Sequence, residues 1–140
     1  MIIGAIFPLK KDLWLRFLEG GKNVFVKFSK MNKLEKDHKI LFYSAREINA
    51  LIGEGTIKFV SSMAADDVRE KYKSTLFLTS SELSNYVSKR WSESSKKWKL
   101  LTIELKNIIK YEKPIKLLKP ITVAGYYLTD EMYSKLKITI

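Results

Sequence analysis

Residues 22–60 read KNVFVKFSKMNKLEKDHKILFYSAREINALIGEGTIKFV and contain three strand-like segments in succession. Apolar side chains alternate with polar ones, or run together over a few residues, as in half-buried and buried strands. In the third segment, Ile57 and Phe59 are predicted to share one face of the strand. Thr56 and Lys58 are predicted to share the other face. The three segments are Lys22–Phe28, Lys39–Ser44 and Ile52–Val60.

The flanking sequence adds helices and further strands on both sides of this segment. From apolar spacing and capping residues, helices are predicted at 10–19, 64–73, 79–91 and after Thr129. Strands are predicted at 2–7, at 98–105 with a continuation past a bend at 108–111, and at 121–128. The order is β-α-β-β-β-α-α-β-β-α, with residues 138–140 as an optional closing strand. Because regular helical crossovers are missing, we expect an α+β fold, a mixed and largely antiparallel β-barrel with peripheral helices, in one domain of residues 1–140.

The charge balance indicates an anionic partner. The 140 residues include 26 Lys and Arg against 15 Asp and Glu, which gives a formal net charge of +11. Abundant lysine would also suit heat adaptation through surface ion pairs, but that adaptation adds both signs of charge together. The surplus of positive charge therefore favours nucleic acid, ahead of a membrane surface, as the partner.

Composition excludes several kinds of chemistry. The chain has no cysteine and one histidine, His38. These counts exclude a disulfide scaffold, a cysteine nucleophile and a multi-histidine metal site. All apolar stretches are shorter than about 18 residues, so no membrane span is predicted. We expect a cytoplasmic protein that needs no metal and no cofactor.

Basic residues interleave with aromatic ones most densely in Lys89–Lys99, which contains Trp91 and Trp98. Indole faces can stack on unpaired bases while the neighbouring cations hold phosphates. Two further basic runs cover residues 22–39 and 106–119, and the second is expected to be an extended basic edge rather than a helical stripe. The alternative is that the indoles belong to the core and the lysines to a solvated surface.

The segment Gly53–Thr56 does not fit a phosphate-binding loop, which needs a lysine and a hydroxyl after a longer glycine-bounded stretch. Its glycines are typical of a bulge or a close backbone approach. Glu54 would accept hydrogen bonds from a base edge if a pocket lies beside it, and would otherwise be structural. Glu82 completes the spacing of a capping box with Thr79 at a predicted helix start.

Several short features occur together between Gly21 and Val60. They are Gly21-Lys22 at the opening of a strand, the basic Lys27, the turn at Lys36-Asp37, the strand Ile40–Tyr43, and Ile52-Gly53-Glu54 before the next strand. With these features, and with Pro120-Ile121 and Gly125-Tyr126-Tyr127 before a last helix, the chain resembles the PUA-like superfamily, particularly its ASCH and EVE branches. It is most similar to an uncharacterised archaeal family of that superfamily. The resemblance implies a small β-barrel that grips RNA or a modified base in a cleft.

The resemblance also implies an alternative activity, because some ASCH proteins are amidohydrolases of acylated cytidine. Those proteins use a lysine, a threonine three residues further on, and a glutamate in a later helix. Lys22 matches the lysine and Glu82 is a counterpart of the glutamate, whereas Phe25 stands at the threonine position and has no hydroxyl. Lys22 and Glu82 are therefore the candidate catalytic residues of this alternative.

The favoured hypothesis is a nucleic-acid-binding module rather than an enzyme, with RNA favoured over DNA. Its candidate site residues are Lys22, Lys27, Arg46, Lys89 and Arg90 for phosphates, Tyr43, Trp91 and Trp98 for stacking, and Glu54 for a base edge. The alternatives are the amidohydrolase and a protein-interaction subunit.

Overall fold

The computed structural model describes residues 1–44, 48–90, 99–117 and 125–139, with the backbone alone at 89–90 and 137–139. Six strands and four helices follow one another in the predicted order. They are β1 (Ile2–Pro8), α1 (Lys11–Leu18), β2 (Val24–Lys27), β3 (Lys39–Ser44), β4 (Ala50–Met63), α2 (Ala65–Lys71), α3 (Ser80–Arg90), β5 (Leu100–Ile115), β6 (Tyr126–Thr129) and α4 (Asp130–Thr139).

The strands form one six-stranded sheet in the order β2-β5-β4-β3-β1-β6. Only the β1–β3 pair is parallel among the described pairs, and the others are antiparallel. This confirms the mixed, largely antiparallel α+β fold. The described strands leave β2 and β6 as the edges of an open sheet, so the predicted barrel is not confirmed.

The two faces of the sheet bury separate apolar clusters. In β3, Ile40 and Phe42 belong to the larger cluster, whereas Leu41 and Tyr43 belong to the smaller one. This follows from the alternation of side chains along a strand. Trp14 of α1 packs in the larger cluster, together with side chains of α2 and α3, and α4 packs on the smaller cluster. Burial of each large apolar side chain contributes about 1.5–3 kcal/mol, so these contacts fix the helices on the sheet.

The fifth strand is long and bent. Asn107 has a φ of 51°, and the pairing register with β4 shifts beside it. Residues 108–115 continue as strand beyond this bend, which confirms the predicted continuation and, as far as Ile115, the extended form of this basic run. Lys119, the last lysine of the run, lies outside the described residues. The bend separates the part of β5 that pairs with β2 from the part that carries Lys110 and Lys113.

The described residues of the predicted optional closing strand at 138–140 are helical instead. Helix α4 includes Ile138 and Thr139, so these residues are helical. The backbone N–H of Met132 donates to Thr129 Oγ1 at 3.2 Å, which confirms the predicted capping role of Thr129. No glycine or proline follows Asp130 in the sequence, and the helix therefore meets no stop signal before its last described residue.

Candidate nucleic-acid interface

A bulge in β4 aligns an exposed ring, three charged side chains and one buried threonine on one face of the sheet. Thr56 lies opposite Lys39 of β3 and Lys106 of β5, and Phe59 lies opposite Glu104 of β5. Cross-strand partners point to the same face, and residues two apart on a strand do so as well. These five residues therefore share a face, and we call them the open strip.

The bulge corrects the predicted orientation of Phe59. Ile57 pairs with Leu105 and Phe59 pairs with Glu104, so β4 advances two residues while β5 advances one. The extra residue turns Phe59 away from the face of Ile57. Ile57 is buried in the larger cluster, whereas Phe59 is 45% exposed. The prediction that both share one face was wrong, because strict alternation does not survive an inserted residue.

The two lysines of the open strip have protein partners yet remain partly exposed. Lys39 Nζ donates to Thr56 Oγ1 at 2.8 Å and lies 3.9 Å from Glu54 Oε2. Lys106 Nζ donates to Asp37 Oδ1 at 2.7 Å. This hydrogen bond from Lys106, with the charges of Lys36 and Lys39 nearby, lowers the pKa of the Asp37 carboxyl. The contact brings together the two basic runs that the sequence keeps almost 70 residues apart, since Asp37 and Lys106 differ by 69 positions.

Glu54 lies two residues before Thr56 on β4 and points to the same face, where Tyr133 of α4 contacts it. It is 2% exposed, and its oxygens accept hydrogen bonds from Tyr111 at 2.9 Å and from Tyr133 at 3.0 and 2.8 Å. Burial, with the Glu54 carboxylate beside it, raises the pKa of the Tyr111 hydroxyl, which therefore stays a proton donor. In this arrangement the carboxylate is engaged by protein donors rather than open to a base edge.

Phe59 is held in place from the side of α2. Lys71 Nζ lies over the Phe59 ring, 5.0 Å from its centroid, and 5.3 Å from the centroid of Tyr72. The Tyr72 hydroxyl donates to Glu104 Oε2 at 2.6 Å. A cation over a ring face is attracted by the ring quadrupole, so these contacts restrict the orientation of Phe59.

Most residues predicted for the site do not join the open strip. Lys22 Nζ donates to the carbonyl oxygen of Ser74 at 2.7 Å, and Lys27 lies at the end of β2. Tyr43 is buried in the smaller cluster, and its hydroxyl donates to Asn49 Oδ1. Its ring therefore has no exposed face on which a base could stack.

The remaining predicted residues lie at or beyond the limits of the described chain. Arg46, Trp91 and Trp98 are outside the described residues. Lys89 and Arg90 end α3, where only the backbone is described.

Glu82 has a structural role that accounts for its polar atoms. It accepts from the Thr79 N–H at 2.8 Å, and its own N–H donates to Thr79 Oγ1 at 3.1 Å, which confirms the predicted capping box. Arg16 donates to its two carboxylate oxygens at 2.5 and 3.0 Å. These contacts, the Arg16 hydrogen bond first, lower the pKa of Glu82 to about 2. Among the described residues, no hydrogen bond or ion pair joins Lys22 to Glu82.

The sequence missed the grouping of Lys39, Thr56, Phe59 and Lys106. Both lysines were visible as members of basic runs, but their alignment depends on strand register. A strand register cannot be read from one strand alone, and the glycines beside Thr56 were the one local signal of an irregular strand.

Comparison with known proteins identifies the family and the fold. The family model described as Domain of unknown function (DUF365) matches residues 2–130. An uncharacterised protein of Methanocaldococcus jannaschii is 38% identical over 103 residues, which cover 70% of this chain and 95% of that protein.

Two solved structures share the fold at low identity. The ASCH protein of Zymomonas mobilis has a TM-score of 0.76 at 16% identity, over 97% of this chain and 94% of that one. The N-terminal domain of McrB from Staphylothermus marinus has a TM-score of 0.57 at 16% identity, over 96% and 92%. No helix in the described part of the chain is long and apolar enough to cross a membrane. The chain belongs to the DUF365 family, and it shares its fold with the ASCH protein of Zymomonas mobilis, in agreement with the predicted resemblance to ASCH domains.

Proposed function

We propose that this chain is a nucleic-acid-binding module, and that it holds phosphates at the open strip and at the turn beside it. The observation that carries the proposal is the contact of Lys106 with Asp37. It gathers Lys36, Lys39 and Lys106 around Asp37, and with Glu54 lying 3.9 Å from Lys39 Nζ these three cations still outnumber the two nearest carboxylates. Such an excess attracts a polyanion and releases its counterions on binding.

The lysine surplus is poorly explained by ion-pair networks. Lysine forms side-chain ion pairs within the described chain at Lys39, Lys106 and Lys135. Many other exposed lysines have no described carboxylate within ion-pair distance. They include Lys30, Lys33, Lys36, Lys58, Lys110, Lys113 and Lys116. Heat adaptation through ion pairs would need acidic partners for these lysines, whereas phosphate binding does not.

The fold likeness is consistent with this role, and we favour RNA over DNA as the ligand. The resemblance to PUA-like domains implies a grip on RNA or on a modified base. Lys22, Lys27, Arg46, Lys89 and Arg90 stay proposed phosphate contacts outside the open strip, and Trp91 and Trp98 stay proposed stacking residues. Glu54 and Tyr43 are proposed to support the sheet beneath the site instead of contacting a base.

The test measures binding of a fluorescent oligouridine by anisotropy over a series of salt concentrations. The double variant Lys36→Gln/Lys106→Gln removes two charges beside Asp37. Each lost phosphate contact on a single strand lowers the slope of log K against log salt by about 0.7, so the slope should fall by about 1.4.

The matched control is Lys10→Gln/Lys11→Gln, which removes the same charge at the start of α1. That helix packs on the larger cluster through Trp14 and Phe17, and it contributes no residue to the open strip. The control should leave the slope nearly unchanged. Equal loss in both double variants would show non-specific attraction only, and an unmodified protein that binds no RNA or DNA at low salt would refute the proposal.

A further inference from the structure

One aromatic ring stands in the open strip. Of the large apolar side chains that are exposed in the described chain, the aromatic ones are Phe59 at 45% and Tyr126 at 42%. Phe59 lies one row from Lys106, since Glu104 and Lys106 are two residues apart on β5. Two residues of a strand span about 7 Å, so ring and cation lie within reach of one nucleotide.

The charges around Phe59 indicate where a base and where a phosphate of the same nucleotide would bind. Glu104, directly opposite Phe59, carries negative charge and is fixed by the Tyr72 hydroxyl. A phosphate beside it would be repelled. Lys106 lies two residues along β5 from Glu104, and Lys39 lies across from it on β3, on the far side of Thr56. Phosphates therefore favour the lysine row, and an uncharged group favours the ring.

We propose that Phe59 is a stacking platform for one unpaired base, so that the ligand of the open strip is a single strand and not a duplex. This inference rests on the proposed function. In a duplex each base is already stacked between its neighbours, and a phenyl ring on a sheet cannot reach a base face. In a single strand the base faces are free, and stacking on aromatic side chains is the usual source of affinity.

The orientation of the ring suits this role before any ligand arrives. Lys71 lies over Phe59 and also over Tyr72, whose hydroxyl is bound to Glu104. Lys71 covers one face of the ring, so a base would stack on the opposite face, and nearly half of the residue stays open to solvent. A side chain that is already ordered loses less conformational entropy on binding.

The test compares Phe59→Leu, which keeps an apolar side chain but removes the aromatic face, with Phe59→Trp, which keeps that face. Each variant is titrated with oligouridine and with a duplex RNA of the same length at the same salt concentration. Phe59→Leu should weaken oligouridine binding by about 5- to 100-fold, while Phe59→Trp retains it. Duplex binding should change little in either variant.

Tyr126→Leu is the matched control, because it removes a similarly exposed ring from edge strand β6, three strands away from β4. It should leave both ligands unaffected. Unchanged oligouridine binding in Phe59→Leu would overturn the platform, even if Lys36→Gln/Lys106→Gln still weakens binding and supports the module. Equal losses for single strand and duplex would also overturn it. If the unmodified protein binds neither ligand, it is the proposed function itself that fails.

Discussion

Glu54 and Glu82 are two carboxylates that this fold holds by different means. Glu54 is buried and accepts hydrogen bonds from the hydroxyls of Tyr111 and Tyr133, with the Lys39 ammonium at 3.9 Å. Glu82 lies at the surface against the Arg16 guanidinium. A buried carboxylate depends on all its donors, because an unpaired buried charge is unfavourable by several kcal/mol. The pair of tyrosines therefore ties α4 and β5 to β4 at one point.

The Glu82 contact makes stability depend on pH. Its folded pKa of about 2 lies below the ordinary value of 4.5. Its stabilising effect is therefore fully present above about pH 4.5 and is lost as the pH falls through about 2. Because the side chain is 39% exposed, solvent screening reduces the effect, and we expect Glu82→Gln to lower the free energy of unfolding by about 1–2 kcal/mol near neutral pH.

Urea unfolding near pH 7 and near pH 2 measures this difference. The variant and the unmodified protein should converge at the lower pH. Glu131→Gln is the control, since that carboxylate forms an exposed pair with Lys135 four residues away. It should change stability by less than about 0.5 kcal/mol at either pH. A Glu82→Gln variant with the same stability deficit at both pH values would show that the charge contributes nothing.

At the residue scale, the sequence predicts local partners and misses distant ones. The Thr79–Glu82 capping box was predicted from its spacing and is confirmed. Arg16 is 66 residues from Glu82, and no local pattern indicates that contact. For the same reason, the hydrogen bonds from Tyr111 and Tyr133 to Glu54 could not be predicted from the sequence. Their sequence separations from it are 57 and 79 residues.

Among the elements, the docking of α1 on β4 depends on the absence of a side chain at Gly53. A Cβ atom there would lie 2.3 Å from Trp14 Cζ2 and 2.5 Å from the Ile109 carbonyl oxygen. The close approach predicted for the glycines of this segment is thus present at Gly53. We expect Gly53→Ala to destabilise the protein by about 1–3 kcal/mol or more, because Trp14 or β5 must shift.

Thermal unfolding followed by circular dichroism checks this, with Gly55→Ala as the control in the same strand. A Cβ at Gly55 would meet only side-chain atoms of Leu105, the nearest at 3.2 Å, and these can adjust. Gly55→Ala should therefore lower the melting temperature by clearly less than Gly53→Ala. Equal effects of the two variants would mean that loss of glycine, rather than the Trp14 contact, decides the result.

The order of elements was predictable because apolar periodicity and caps are local. The register between strands was not, because it depends on where β5 meets β4 after α2 and α3. One bulge between Ile57 and Phe59 was enough to reverse the predicted face of Phe59. The candidate interface is therefore defined by the pairing of β3, β4 and β5, and no sequence motif predicts it, although both of its lysines belong to basic runs in the sequence.

On the scale of the whole molecule, the net charge of +11 destabilises the folded state by repulsion between like charges, and this opposes the stabilising effect of ion pairs. The described lysines that lack acidic partners repel one another. Salt at 0.1 M largely screens the repulsion between exposed charges that lie more than about 10 Å apart. A surface dominated by ion-pair networks would respond in the opposite way, because salt weakens attraction between opposite charges. The sign of the salt effect therefore separates heat adaptation from an unfilled polyanion site.

We expect the free energy of unfolding to rise, on the order of 1 kcal/mol, when sodium chloride is raised from about 20 to about 200 mM. Urea titrations at each salt concentration measure the change, and chloride is preferred because sulfate also strengthens apolar burial. Lys110→Gln/Lys113→Gln should show a smaller rise than the unmodified protein, since two repelling charges without a described acidic partner are gone. At low salt, oligouridine should stabilise the unmodified protein by binding the folded state. A fall in stability with salt would indicate that attraction already dominates this surface, and the lysines would then have no charge to spare for phosphates.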